Sequence, residues 1–123
     1  MNAKKMASVL VAVLALTVVG AGAVNAHTTV KSTSPKAGSK VNKSLKSVKV
    51  TFNGAIKRGT LKVVRTSNGA KVSNGSGGRD PGNVKRLTVA LKGGLKAGKY
   101  KANWSMVAAD GHTQTGSFSF KLK

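Results

Sequence analysis

Hydrophobic and polar residues alternate one by one along three stretches of the chain. These stretches are 47–52, 99–106 and 117–123. In the second stretch, for example, Tyr100, Trp104 and Met106 share one face, and lysine, asparagine and serine share the other. A period of two is typical of a β-strand, whose successive side chains point to opposite faces. Each stretch therefore predicts a strand with one face in the core and one in water.

Weaker patterns predict the remaining strands. They lie at 28–32, 59–66 and 85–91, with a marginal one at 70–73. Turn-forming residues such as Ser34-Pro35, Asn68-Gly69 and Gly93-Gly94 separate them, and 73–83, rich in Gly, Ser and Asn, predicts a long mobile loop. No sustained helical period follows residue 27. About seven short strands predict an all-β fold: a single antiparallel β-sandwich, immunoglobulin-like, with Greek-key connections.

The first 26 residues have the three parts of a secretory signal peptide. Lys4 and Lys5 precede an apolar run at 7–19, and small residues follow up to Val24-Asn25-Ala26. A membrane anchor would need about 18 strongly apolar residues, and here glycine and alanine interrupt the run. We expect cleavage after Ala26, which would leave 27–123 as one exported domain, periplasmic or extracellular, in a bacterial envelope. The chain has no cysteine, so a disulfide, a thiolate metal site and a lipoprotein anchor are all excluded.

The charge is strongly positive. The chain has 22 Lys and Arg against two acidic residues, and the part after residue 26 keeps a net charge of about +18. Such a charge favours polyanions: nucleic acid, anionic lipid headgroups or acidic wall polymers. The lysines are spread singly rather than in a run, and nucleic acid is rarely the partner of an exported protein. We expect weak, non-specific binding to anionic envelope polymers and no specific nucleic-acid binding.

The two histidines, His27 and His112, could form one metal site with Asp110. Cleavage after Ala26 would make His27 the amino terminus, and its α-amine and ring Nδ1 could then chelate one ion. The amine loses its proton near neutral pH, so a metal can displace that proton. His112 would add a third nitrogen and Asp110 an oxygen. Three nitrogens and one oxygen suit the tetragonal preference of Cu(II), and zinc would bind the same ligands more weakly.

The same residues have a simpler explanation. Asp-Gly between two strands is a strong hairpin signal, so Asp110-Gly111 could do no more than form a turn. His112 would then be an exposed loop residue, and His27 would follow the cleavage point by chance. Residues i and i+2 of an extended segment share a face, so Asp110 and His112 could also act together. Whether the first strand brings His27 beside them cannot be derived from the residues alone.

Four segments have the form of family motifs: 32–38 (STSPKAG), 48–52 (VKVTF), 95–104 (LKAGKYKANW) and 109–118 (ADGHTQTGSF). Together with His27, they resemble the CopC copper-resistance family of small exported β-sandwiches. The last segment contains D-G-H-x-x-x-G-x-F, the most specific of the motifs. The resemblance covers nearly all of 27–123 and implies a single Cu(II) site held by His27, Asp110 and His112. It also implies that the protein sequesters copper or delivers it to a CopD-type membrane importer.

Two departures from the family pattern limit what the resemblance implies. Some members carry a glutamate in an F-S-E motif, whereas Asn53-Gly54 follow Phe52 here, so a fourth carboxylate contact is lost. Some members also have a methionine-rich loop for Cu(I), a soft ion that favours thioethers. After residue 26 this chain has only Met106, which the alternation places in the core. We therefore expect no Cu(I) site.

Two other functions are alternatives to copper binding. A histidine brace also occurs in copper-dependent enzymes that cleave polysaccharides oxidatively. Those enzymes are usually larger and have a broad aromatic or polar surface, whereas the one Trp and one Tyr here are both assigned to the core. The Asp110 carboxylate would also crowd the open position that oxygen chemistry needs, so we expect no enzymatic activity. The second alternative is a cationic envelope-binding module that binds no metal.

Overall fold

The structure, a computed structural model, describes residues 28–123. Eight strands occur within this part of the chain: β1 (Val30–Ser34), β2 (Lys40–Val41), β3 (Ser47–Phe52), β4 (Ile56–Arg65), β5 (Gly78–Asp80), β6 (Asn83–Ala90), β7 (Gly98–Ala108) and β8 (Thr113–Leu122). Residues 28–123 form no helix long and apolar enough to cross a membrane. The predicted signal peptide and His27 lie outside the described residues.

The strands form two four-stranded sheets that face each other. The first has the order β1-β3-β6-β5, and the second has the order β2-β8-β7-β4. Neighbouring strands are antiparallel except for the short β2, which runs parallel to β8. The architecture confirms the predicted β-sandwich, with one strand more than the seven expected.

The inward-facing residues of both sheets form one core. Its fully enclosed side chains include six that the alternation assigned to the inner faces, namely Val48, Val50, Phe52, Tyr100, Met106 and Phe120. Met106 is completely buried, as predicted, because both sheets cover it. Burial of these apolar side chains stabilises the sandwich by about 1.5–3 kcal/mol for each large one.

Trp104 packs between the sheets but is only partly buried. Its ring meets Phe52 edge-to-face, with ring centroids 5.1 Å apart. Gly116 lies opposite Trp104 in the β7–β8 ladder, and a Cβ on Gly116 would lie 2.7 Å from Trp104 Cε2. The absence of a side chain at residue 116 therefore lets the indole lie over the neighbouring strand.

The prediction of a loop over 73–83 is wrong for 78–80, which form β5 and pair with β6. This strand is too short and too rich in glycine to show a period of two. Its last residue, Asp80, accepts hydrogen bonds from Gly82 N (2.8 Å) and Arg86 Nε (3.0 Å). The hydrogen bond from the Gly82 amide, and to a smaller extent the contact with Arg86, holds the pKa of the Asp80 carboxyl below its usual value.

The marginal strand predicted at 70–73 forms only isolated bridges, at Lys71 and Ser73.

Candidate metal centre

Asp110 and His112 lie in the turn between β7 and β8. Ala108 N donates to His112 O (2.8 Å), and Gly111 N donates to Ala108 O (2.9 Å). Gly111 has a φ of +92°, in the left-handed region that favours glycine. The Asp-Gly dipeptide therefore forms a hairpin turn, as the simpler explanation of this motif predicted.

The turn also brings the two predicted ligands together. Asp110 Oδ1 accepts a hydrogen bond from His112 N at 3.0 Å, and Asp110 Oδ2 lies 2.9 Å from His112 Nδ1. An ionised carboxylate can only accept hydrogen bonds, so the neutral imidazole carries its proton on Nδ1. Nε2 then has the lone pair that a metal would bind. Forming a turn and orienting a histidine are thus compatible roles for this motif.

Both side chains are accessible at the surface. The His112 side chain is 72% exposed and the Asp110 side chain is 52% exposed. A carboxylate hydrogen-bonded to the second nitrogen of a histidine is the usual outer contact of a metal-binding histidine, because it sets the tautomer and raises the basicity of the ligand. The chemistry of the pair therefore fits an ion such as Cu(II) that prefers imidazole nitrogen.

The pair is not a complete site. Within 28–123 no group of three or more His, Cys, Asp or Glu side chains could hold a metal ion. A tetragonal Cu(II) centre needs more donors than one imidazole and one carboxylate supply. Within 28–123 this pair therefore supplies two donors, and the third predicted ligand, His27, lies outside the described residues.

The first described residues are attached to the turn between β3 and β4. Thr29 N donates to Asn53 Oδ1 at 2.9 Å, and Asn53 N donates to Thr29 O at 2.9 Å. Thr28 lies against Gly54, since a Cβ added there would be 3.4 Å from Thr28 Oγ1. Two hydrogen bonds with Asn53 thus hold the backbone of Thr29, which is two residues after His27.

The β3–β4 turn lies at the same end of the sandwich as the Asp110–His112 turn. Ile56, the first residue of β4, pairs with Ala108, the last residue of β7. Thr28 and Thr29 are therefore placed at the end of the molecule where His112 lies. Sequence reasoning treated Asn53 only as the loss of a carboxylate and missed its contact with Thr29. Its position directly after an alternating strand was the only available signal.

Comparison with known proteins gives the family. Residues 30–123 match the CopC domain. The chain belongs to the CopC family. It is 31% identical over 98 residues to the copper transport protein CutJ of Bacillus subtilis strain 168, across 79% of this chain and 18% of that protein. It is 44% identical over 48 residues to copper resistance protein C of Pseudomonas syringae pv. tomato, across 39% of this chain and 36% of that protein. The matched region spans well under half of either curated relative.

Solved CopC-family structures share the fold. CopC from Methylosinus trichosporium OB3b aligns with a TM-score of 0.66 and 24% identity over 79% of this chain and 94% of that one. PcoC, a methionine-rich copper resistance protein from Escherichia coli, aligns with a TM-score of 0.62 and 27% identity over 80% of this chain and all of that one. The two curated relatives are named for copper transport and copper resistance, which agrees with the prediction that this chain is not an enzyme.

Proposed function

We propose that this CopC protein binds one Cu(II) ion outside the cytoplasmic membrane, after residues 1–26 have been removed. His27, as the new amino terminus, would bind the ion together with Asp110 and His112. The contact between Asp110 Oδ2 and His112 Nδ1, at 2.9 Å, is the observation that carries this proposal. That contact prepares one imidazole nitrogen for a metal at an exposed turn.

Each residue has a separate role in the proposed site. His112 donates Nε2, because its Nδ1–H is held by Asp110. His27 donates its α-amine and its ring Nδ1, which close a chelate. Asp110 orients His112 in the described conformation. To give the ion an oxygen, its carboxylate would have to leave Nδ1, because one carboxylate cannot reach both Nδ1 and an ion on Nε2. This donor set has three nitrogens and one oxygen, as Cu(II) prefers.

The attachment of Thr29 supports the participation of His27. His27 immediately precedes Thr28, and one residue of chain spans about 3.8 Å. The hydrogen bonds between Thr29 and Asn53 hold this part of the backbone at the end of the sandwich that carries His112. Chelation by His27 would then fix little further chain, which lowers the entropy lost on binding.

The cargo of the site is Cu(II) rather than Cu(I). Cu(I) favours thioether ligands, and the one methionine in 28–123, Met106, is completely buried. We propose that the protein sequesters Cu(II) or delivers it to a CopD-type membrane importer.

Extending the amino terminus tests the site directly. The processed protein beginning at His27 is compared with a variant that has one alanine before His27. The extension converts the α-amine into an amide, so we expect Cu(II) affinity to fall by more than about 100-fold, since even outer contacts of a ligand contribute 10–100-fold. Competition with a chelator measures the affinity, and electron paramagnetic resonance counts the nitrogen ligands. The matched control has one alanine added after Lys123.

Equal affinity and identical spectra for the extended and control proteins would refute the amino-terminal site. Mass spectrometry of the exported protein tests the processing step separately, because the proposal requires His27 to be the first residue.

Replacing Asn53 by alanine tests how the first residues are held. We expect Cu(II) affinity to fall by about 10-fold, at the lower end of the effect of outer contacts, because the Thr29 amide loses its acceptor. The number of nitrogen ligands should not change, since Asn53 does not bind the ion. Asn103→Ala, on the exposed outer face of β7, is the matched control. Asn53→Asp should restore most of the affinity, because it keeps an acceptor for Thr29 N; an equal loss in Asn103→Ala would contradict this role.

A further inference from the structure

The outer face of the second sheet is unusually rich in basic residues. We call it the lysine face. Its basic residues are Lys40 on β2, Lys121 on β8, Lys99 and Lys101 on β7, and Arg58 and Lys62 on β4. Three of them form one row across three strands, because Lys40 pairs with Lys121 and Lys121 pairs with Lys99. All six are exposed.

This face carries no acidic residue. The two carboxylates of the chain are Asp110, in the turn at the end of the hairpin, and Asp80, on β5 of the first sheet. The outer face of the first sheet differs: its Arg86 is bound by Asp80, with 3.0 Å between Arg86 Nη2 and Asp80 Oδ2. Of the two outer faces, the lysine face therefore carries the larger excess of positive charge.

Protection of sheet edges does not explain the lysine face. Lysines on edge strands hinder edge-to-edge association, which would account for Lys40 and Lys62. However, β8 and β7 are the inner strands of the sheet, and they carry Lys121, Lys99 and Lys101. Like charges directly opposite each other on neighbouring strands destabilise a sheet. The lysines on β7 and β8 lower the stability of the sheet and do not protect its edges. Their presence therefore suggests that they bind an anionic partner.

The neighbouring side chains indicate what kind of partner fits. Between the basic residues lie hydroxyl groups such as those of Ser117, Ser119 and Thr115. The large exposed hydrophobic residues of 28–123, Val30 and Val84, are both on the first sheet. The lysine face is thus a broad sheet surface with distributed cations, and its outward-facing apolar residues, Val64 and Val107, are partly buried. A broad face suits a planar layer of phosphates better than a single polymer chain, which would be bound along a groove.

We propose that the lysine face docks the protein electrostatically on an anionic phospholipid membrane. Lysines near such a surface each contribute to binding, and the attraction falls off within a Debye length. Docking would be reversible and sensitive to salt, because nothing anchors the protein in the hydrocarbon.

The lysine row lies far from the proposed copper site. Lys99 is near the start of β7 and Ala108 is at its end, and nine residues of strand span about 30 Å. This is several times the Debye length of about 8 Å at physiological salt. Arg58 pairs with Val107 close to that turn and is left unchanged in the test below. Replacing Lys99, Lys101 and Lys121 should therefore leave Cu(II) binding at the hairpin turn unaffected.

The test uses the exported protein and sedimentation with lipid vesicles. One set of vesicles contains phosphatidylglycerol and phosphatidylcholine, and the other contains phosphatidylcholine alone. Lys99, Lys101 and Lys121 are replaced together by glutamine. The matched control replaces Lys31, Lys49 and Lys85 by glutamine, which removes the same charge from β1, β3 and β6 of the first sheet.

We expect the lysine-face variant to lose more than about 100-fold in partitioning to the anionic vesicles, since each lysine contributes about fivefold. The control should lose far less, and both variants should keep the Cu(II) affinity of the parent. Equal losses in the two variants would overturn the proposal, because the attraction would then depend only on total charge. Binding by the parent to phosphatidylcholine alone would overturn it as well.

A second arm separates a membrane from a soluble polymer. The same proteins are titrated with inorganic polyphosphate, a linear polyanion. If the lysine-face substitutions weaken polyphosphate binding but leave vesicle binding unchanged, the assignment to a membrane is wrong. If the triple variant does not fold, the three single variants carry the test, each with an expected loss of about fivefold.

Discussion

Replacing His112 by alanine is expected to lower Cu(II) affinity by more than about 100-fold without unfolding the domain. The substitution removes one nitrogen donor and leaves Asp110 without the ring that it orients. The fold should persist because the His112 side chain is 72% exposed and the backbone bond from Ala108 N to His112 O does not depend on it. Chelator competition measures affinity, and paramagnetic resonance should show one nitrogen fewer.

Asp110→Asn provides the complementary variant. The asparagine keeps an acceptor for His112 N but is a weaker partner than a carboxylate for His112 Nδ1. We expect a loss of about 10–100-fold in affinity with the same number of nitrogen ligands. Full retention of Cu(II) binding in His112→Ala would show that the hairpin turn is not part of the site. This conclusion would hold independently of the result for the amino-terminal extension.

Replacing Phe52 by alanine is expected to reduce the free energy of unfolding by about 3–5 kcal/mol. Phe52 is completely buried and contacts Trp104 edge-to-face, so its removal leaves a cavity between the sheets. A domain of this size is stable by only about 5–15 kcal/mol, so the variant would be close to unfolding. Urea denaturation followed by the fluorescence of Trp104, the only tryptophan of the chain, measures the change.

Val84→Ala is the control for the Phe52 variant. Val84 is 48% exposed on β6, so its truncation should change the free energy of unfolding by less than about 0.5 kcal/mol. An equal effect of the two substitutions would mean that Phe52 is not part of the core. Phe52→Ala should also weaken Cu(II) binding, because Phe52 precedes the Asn53 that holds Thr29.

Strands with one solvent-exposed face and one buried face could be predicted well from the sequence. The prediction of β3 is correct at both ends because Val48, Val50 and Phe52 alternate with polar residues without a break. β8 begins at Thr113 instead of residue 117, since its first residues, Thr-Gln-Thr-Gly, contain no apolar side chain. β2 and β5 could not be found, because two or three residues are too few for a period and pairing with a neighbour determines their conformation.

The candidate site was predictable only in part. A motif of three residues specified both a turn and a contact, so the Asp110–His112 pair followed from local sequence alone. The approach of the Thr29 backbone to Asn53 depends on how β1 pairs with β3, between residues 24 positions apart in the chain. No local pattern contains that information. The participation of His27 stays a prediction.

The two halves of the proposed site, the hairpin turn and the amino-terminal segment, differ in how strongly their neighbours restrain them. The turn that carries His112 closes a hairpin whose ladder runs from Gly98–Leu122 to Val107–Thr113, whereas β1 is an edge strand that pairs with β3 alone and has an irregular register between Val30 and Ser32. Metal loading and unloading should therefore occur in a fixed order. In the proposed site the hairpin would capture the ion first, and the amino-terminal chelate would close afterwards. A protein that accepts the ion would begin by displacing the amino terminus. The lifetime of the Cu(II) complex should therefore depend on the edge strand, and the rate of Cu(II) binding should depend on the hairpin.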